Sequence, residues 1–563
     1  WRDEITLVAD DEYGTFNNEI FHTTQTEQLA KYHIPPYFLR DKIYLMDYPF
    51  VNNKKPAVND AIVKAINDGT LLINYVGHGN PNLWAHEHVF TRQGDLPRLN
   101  NFDRLPLVFT ASCAIGFFDD PAREGMAEDL LAMSNGGAIA VIAPTRLVYS
   151  SDNAAFNRKV FDILLYDDSL SMCEAFYAAK LQRQYQGNYP IPQKNDRKYL
   201  YFGGPFVKLG MPRMQIIVDS APDSLMALEK TQVRGHIIDK QSNLYNHNGE
   251  LVVNVYDSQR EKIHRLIDNN GVVTNEVRYN VTGPTIYRGS AGIKDGEFDF
   301  DFIPPLDIGY GGQGAKIALY AIFDTTDAVG IVDSINVADS IATFSDTLGP
   351  SIDVSFVGLN NFSSGDFIKK DEQMLIELSD LSGINITGGL GHGISLEIDN
   401  KSENVINLTN LFKYQKDDYT QGSLLYQLEN LKPGNHHFKI KAWDNANNSA
   451  KYEFDAEVLS TEKLAIKKLL NYPNPMKDST QFSFELTKQV EKFSLEIFTL
   501  SGRKIKSFVR YSLNPGYYDD IKWYGRDFVG DRVATEVYIY KATAYPVNGE
   551  AKVESFGKIV VIN

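Results

Sequence analysis

The 563-residue sequence predicts an α/β domain built on a parallel sheet, followed by three all-β sandwich domains. Three observations carry this expectation. The first ~215 residues alternate short, continuously apolar runs with helix-like segments, as in a parallel sheet covered on both faces. Beyond Pro212 the alternation has period two, with Gly, Asn, Asp and Pro at the turns, the pattern of β-sandwich modules. The composition, with 31 Tyr, 32 Phe and 41 Gly, favours β-rich modules with many turns.

Taken in order, Ile5–Ala9 reads as a strand and Thr24–Tyr32 as a helix. Lys42–Met46 is a second strand, and Asn59–Asn67 is helical, with Ala61, Ile62, Ala65 and Ile66 on one face. Leu71–Val76 and Leu107–Ala111 are the third and fourth strands; a helix follows over Met126–Met133, a strand over Ala138–Ala143, and a helix around Ala154–Leu165. The α/β domain is assigned to residues 1–215 and the first sandwich to 216–346, with strands such as Leu251–Tyr256 and Ala315–Tyr320. The turn at Leu348, Gly349 and Pro350 opens a second sandwich over 347–460, and the polar link Ser460–Lys463 leads into the third, 461–563.

The length exceeds what one core supports, and 43% hydrophobic with 23% charged residues is an ordinary folded composition. A net charge of −16 without a basic run argues against a nucleic-acid partner. No run of about 18 apolar residues is present. Two cysteines make no disulfide framework. The chain opens on Trp1, almost directly on a strand and without a signal peptide, and reads as a mature or excised piece of something longer.

Two of the strands end in reactive residues. His78 stands just beyond Leu71–Val76, between Gly77 and Gly79; Cys113 stands just beyond Leu107–Ala111. Ligands of open parallel sheets bind outside the carboxyl ends of the strands, so neighbouring strands would bring both side chains to one crevice. A thiolate is a nucleophile, and an imidazole takes its proton and later protonates the leaving amine. The glycines allow close backbone approach, and the amides of Gly79 and Cys113 are candidates for an oxyanion hole.

The segment Asn74–Asn80, with Trp84 downstream and then Phe109–Cys113, resembles the gingipain-type cysteine peptidases of the caspase-like clan. Glu124–Leu131, Gly136–Ala143 with Pro144–Arg146, and Tyr201–Pro205 extend the likeness, which covers roughly residues 1–215. It implies a caspase-like sheet with a catalytic dyad of His78 and Cys113. Gly204 stands where the family usually has an acid, which leaves the dyad intact. A complete family domain would have further sheet-forming sequence before Trp1.

The Asn471–Pro475 opening of the last module, with Phe482–Phe484, Leu500–Gly502 and the turn at Gly516, resembles the sorting domains of the Bacteroidetes type IX secretion route. Together with the peptidase motifs, this is similar to the gingipain-like sortase family of that route. The resemblance implies cleavage of C-terminal signal domains from secreted cargo and transfer of the new carboxyl end to anionic lipopolysaccharide. It also implies peripheral attachment to the outer membrane at the bacterial cell surface, beside the shuttle protein PorV. Alternative readings are a secreted gingipain-like protease and a surface scaffold or adhesin with a degenerate peptidase domain.

Asp10, Asp11 and Glu12 follow the first strand; gingipains use an acid from this region to orient the histidine, and Glu12 is chosen here, against a solvated turn. Trp84 either walls the substrate pocket or packs a loop. His86 and His88 flank Glu87 but read as structural, and neither a metal nor a cofactor is expected. Gly391, His392 and Gly393 repeat the site motif without a cysteine partner. Cys173 reads as a packed helical thiol, and Asp119 with Asp120 as a polar loop rather than a cation site.

Overall fold

The computed structural model describes residues 1–11, 20–122, 124–186, 189–190, 193–267, 270–359, 362–389, 391–458, 464–547 and 551–562. Glu12 therefore lies outside the described residues. The chain divides into two compact units, Trp1–Thr343 and Phe344–Asn563.

The first unit begins with a six-stranded sheet of β1 (Glu4–Ala9), β2 (Leu39–Tyr44), β3 (Leu72–Val76), β4 (Leu107–Ala111), β5 (Ala140–Pro144) and β6 (Tyr199–Gly203), in the order β6-β5-β4-β3-β1-β2. All neighbours pair in parallel except β6, which runs antiparallel to β5. Successive residues of each buried strand feed opposite cores. Leu7, Leu72, Phe109 and Ile142 join one core with α1 (Phe21–Tyr32), α4 (Ser150–Leu164) and α5 (Met172–Arg183). Val8, Ile73, Val108 and Val141 join the other with α2 (Pro56–Asp68) and α3 (Met126–Ala132). That two-sided burial explains why the strands read as continuous apolar runs.

Two strand assignments move. The second strand starts at Leu39 rather than Lys42, because its Arg40, Asp41 and Lys42 pair in register with β1 while Leu45–Asp47 turns as a 3₁₀ helix. An edge strand with one polar stretch carries little apolar signal. Tyr199–Gly203, which overlaps the family motif Tyr201–Pro205, is the sixth strand.

The remainder of this unit departs from a two-sheet sandwich. Met214–Ser220 pairs with Thr231–Ile238 on one side and, at Met214 and Gln215, with Ala328 and Val329 on the other. The eight-stranded sheet therefore closes on itself. Bulges at Val218/Ser220 and Ala315/Ile317 supply local curvature for such closure. A separate hairpin, Arg260–Ile267 with Val273–Val281, leaves this sheet and packs on the α/β layer, burying Val277 and Tyr279 in the core that holds α1.

In the second unit, one pair of sheets has four and five strands within 351–458. The C-terminal residues form a three-stranded sheet (Ile466–Tyr472, Thr480–Leu486, Gly516–Trp523) and a four-stranded sheet (Val490–Thr499, Lys504–Leu513, Val537–Pro546, Val553–Val560). Their inward residues, including Phe482, Phe484, Leu495, Ile497, Tyr540 and Ile559, share one core.

Candidate active site

The β3 and β4 strands pair in parallel from Leu72↔Leu107 to Val76↔Ala111. The Gly77 N–H still reaches the Ala111 carbonyl at 3.4 Å, so the two chains leave the sheet side by side. His78 and Cys113 each follow two residues beyond their strands, at one edge, and both are half-buried. The Cys113 thiol lies 3.6 Å from the Val148 carbonyl oxygen.

The strand order reverses direction between β1 and β3, the place where open α/β sheets form a crevice. Asp10 follows β1 into that crevice. Its N–H donates to the Val76 carbonyl at 2.9 Å, and its Oδ2 accepts the His78 backbone N–H at 2.7 Å. Gly77 has no alternative here, since a Cβ would stand 2.3 Å from Asp10 Cβ and 2.5 Å from Tyr75 Oη. The Tyr75 hydroxyl donates to the His78 carbonyl at 2.5 Å, and the Ala85 N–H donates to it at 2.9 Å. The His78 backbone is thus held from both sides.

Trp84 is fully buried and stacks on Tyr75 with ring centroids 4.5 Å apart. Of the two readings of Trp84, its burial and its stacking on Tyr75 favour packing beneath the His78 loop. Gly79 pairs with Trp84 in a two-residue ribbon and is half-buried; a Cβ there would meet Ser112 Oγ at 2.5 Å. The absence of a side chain at 79 lets the two loops approach.

Around His78 the structure gathers groups that sequence reasoning separated or passed over. His22, buried in the first turn of α1, stands edge-on to His78 at 5.4 Å, and the His86 ring lies 4.8 Å away. Carboxylate oxygens of Asp10, Asp11 and Glu87 lie within 4.8 Å of one another. Lys55, also buried, pairs with Asp11 and donates to the Leu45 carbonyl at 2.6 Å. Burial pushes the Asp10 carboxyl well above its usual range against the bond from His78 N–H, with the charge of Glu87 adding to the rise. Burial likewise raises Asp11, opposed by Lys55, and Glu87. The available signal for His22 was a helix face whose buried positions include polar His22, Thr23 and Thr26 beside Leu29 and Ala30. Glu87 had only its place after the His-Gly motif.

Of the remaining expectations, His88 is exposed and its carbonyl accepts the Asn59 side-chain amide at 2.9 Å. Asp119 is exposed and paired with Arg146 at 2.6 Å. Cys173 is half-buried rather than a core thiol, standing between buried Met172 and exposed Glu174 at the edge of the buried face of α5.

Residues 1–210 match the model of Peptidase family C25. This stretch is a C25 domain. Gingipain R2 of Porphyromonas gingivalis is 36% identical to the chain over 90 residues, covering 15% of this chain and 12% of the relative. Gingipain R1 of the same organism is 36% identical over 90 residues, 15% of this chain and 9% of its own length. Among solved structures, dimeric latent PorU from Porphyromonas gingivalis is similar, with 24% identity, 76% of this chain and 41% of that chain covered, and a TM-score of 0.31. The Arg-specific cysteine proteinase gingipain R shows 18% identity, 60% and 67% coverage, and a TM-score of 0.29. The chain spans less than half of the PorU chain and about a tenth of the curated gingipains that it matches.

Proposed function

We propose that the C25 domain is a cysteine peptidase acting as a transpeptidase, with Cys113 as nucleophile and His78 as acid–base partner. The in-register pairing of β3 with β4 carries this reading, because it delivers a thiol and an imidazole to one sheet edge. His78 takes the Cys113 proton, and the thiolate attacks the scissile carbonyl carbon. The resulting oxyanion is received by the amides of Gly79 and Cys113. Collapse of the tetrahedral adduct expels the amine, which takes the proton back from His78, and leaves a thioester on Cys113. An incoming water or amine, deprotonated by His78, resolves the thioester and frees the thiol.

The sortase form of this reading rests on the sorting-domain motifs of residues 461–563 beside the C25 domain. In that form the substrates are C-terminal signal domains of type IX secretion cargo, and the acceptor is anionic lipopolysaccharide. The protein then works peripherally on the outer membrane at the cell surface with PorV, as a caspase-like catalytic domain followed by a closed β-sheet module and two Ig-like β-modules. Asp10 accepts the His78 backbone N–H and so positions the loop that carries the imidazole; the acid that the resemblance implies for the ring, Glu12, lies outside the described residues.

Mass spectrometry of the cargo carboxyl terminus tests the proposal. Cys113→Ala should leave the signal domain uncleaved while the fold, read by circular dichroism, is unchanged. Normal signal removal by that variant would refute the nucleophile assignment. A free carboxyl terminus in place of a sugar-linked one, with wild-type protein, would favour a secreted protease.

A further inference from the structure

Asp10 is the shared corner of two clusters. A carboxylate oxygen of Asp10 and ring nitrogens of His22 and His78 all lie within 4.8 Å of one another, with Asp10 and His22 buried. Two imidazoles and one carboxylate are a donor set suited to a borderline divalent ion such as Zn²⁺, which takes N and O ligands at about 2.0–2.2 Å. Asp10 Oδ2 accepts the His78 N–H and lies 3.5 Å from the Tyr75 hydroxyl, while Oδ1 accepts the Asp11 N–H and keeps a second lone pair.

The second observation is electrostatic. Within 4.8 Å of an Asp10 carboxylate oxygen, Asp11 and Glu87 bring two more buried carboxyls. Lys55 pairs with Asp11. Glu87 is fully buried, and neither of its carboxylate oxygens has a hydrogen-bond partner among the described residues. Burial disfavours the charged forms of these carboxyls against the charge of Lys55, and a cation at the adjoining corner favours them.

We propose that Asp10, His22 and His78 form a binding site for a divalent transition-metal ion of the Zn²⁺ class, and that the bound ion takes His78 out of its partnership with Cys113. Binding rests on the clustered donors alone. The silencing rests on the proposed role of His78. Occupation places the metal on the imidazole nitrogen lone pair that would otherwise accept a proton, so removal of the ion restores the peptidase without covalent change. Glu87 acts on the site through its charge.

Titration of the full chain with Co²⁺, read by visible absorption, and with Zn²⁺, read by calorimetry, tests this. Wild type should show a nitrogen–oxygen ligand field without the intense near-ultraviolet band of cobalt–thiolate bonding. Cys113→Ala should bind as tightly as wild type. His22→Gln should weaken binding at least about tenfold, and Glu87→Gln by less. His22→Asn is a second variant should the first fail to fold. Zn²⁺ should slow cargo cleavage by wild type and lose that effect in the His22 variants. No binding, a thiolate band, or equal affinity in folded His22 variants would overturn the site. Metal binding as expected, with cargo processed normally by Cys113→Ala, would keep the site and remove the peptidase reading with its silencing.

Discussion

The close approach of the two site loops turns on one missing methyl group. A Cβ at Gly79 would stand 2.5 Å from Ser112 Oγ and 3.1 Å from both Ile115 Cδ1 and the Leu83 carbonyl oxygen. Gly79 is not held in left-handed backbone, so Gly79→Ala is a steric test without a conformational penalty. Overpacking of this kind costs about 1–3 kcal/mol. Ser112 Oγ is buried and has no hydrogen-bond partner among the described residues. Ser112→Ala should therefore be neutral or stabilising by about 1 kcal/mol. In the double variant the nearest obstacle is gone and two 3.1 Å contacts remain. It should recover at least about 1 kcal/mol relative to the sum of the single changes. Hydrogen exchange of the β3 and β4 amides, followed by mass spectrometry on the full chain, reads the local opening free energy, and Cys113 alkylation reads the loop geometry. Additive single effects would show that Gly79 and Ser112 do not set the spacing of the loops.

Three further outcomes are expected. Burial, followed by the charges of Asp41 and Asp3, pushes the Glu4 carboxyl up to about 7. The folded state then holds a proton that the unfolded chain releases, so this stability is complete below the ordinary glutamate range and lost as pH rises through about 7. It amounts to the order of 3 kcal/mol. Glu4→Gln should flatten the slope, and a urea midpoint equally pH-dependent in both proteins counts against the assignment. Asp47 accepts from Lys262 Nζ at 2.5 Å, His264 Nε2 at 2.8 Å and Tyr279 Oη at 2.5 Å. Burial opposes its charge, yet these bonds hold its pKa below the usual value, so their stabilisation is present above that value and lost as pH falls through the depressed one. Asp47→Asn should cost about 1–3 kcal/mol and speed amide exchange across 260–281; unchanged exchange there would show that Asp47 does not anchor the hairpin. Phe484 stacks on Phe493 at 3.8 Å in the C-terminal core, and Phe484→Ala should cost about 3–5 kcal/mol, seen as a lower calorimetric transition for the second unit. An unmoved transition would refute that packing.

Local pattern determined a good part of this protein. Strands buried on both faces read as apolar runs wherever they lie, so Leu72–Val76 and Leu107–Ala111, and the residues that leave them, are legible without a partner in view. The helices fall within a few residues of their periodic segments, as Pro56–Asp68 does around Asn59–Asn67, because a helix bonds to itself. Tertiary structure decided what each end meets. Asp10 reaches His78 across 68 positions of chain, and Lys55 reaches Asp11 across 44. His22 arrives on α1 and Glu87 on the loop beyond Trp84, and no spacing in the sequence announces either meeting. Trp84 was undecided between pocket and packing because an indole suits both, and only the Tyr75 ring against its face settles it as buried. The first β-module was legible as strands but not as one closed sheet, since closure depends on Met214 and Gln215 meeting Ala328 and Val329 more than 100 residues later. Periodicity is a property of neighbours along the chain, whereas charge compensation, ring stacking and sheet closure are properties of neighbours in space.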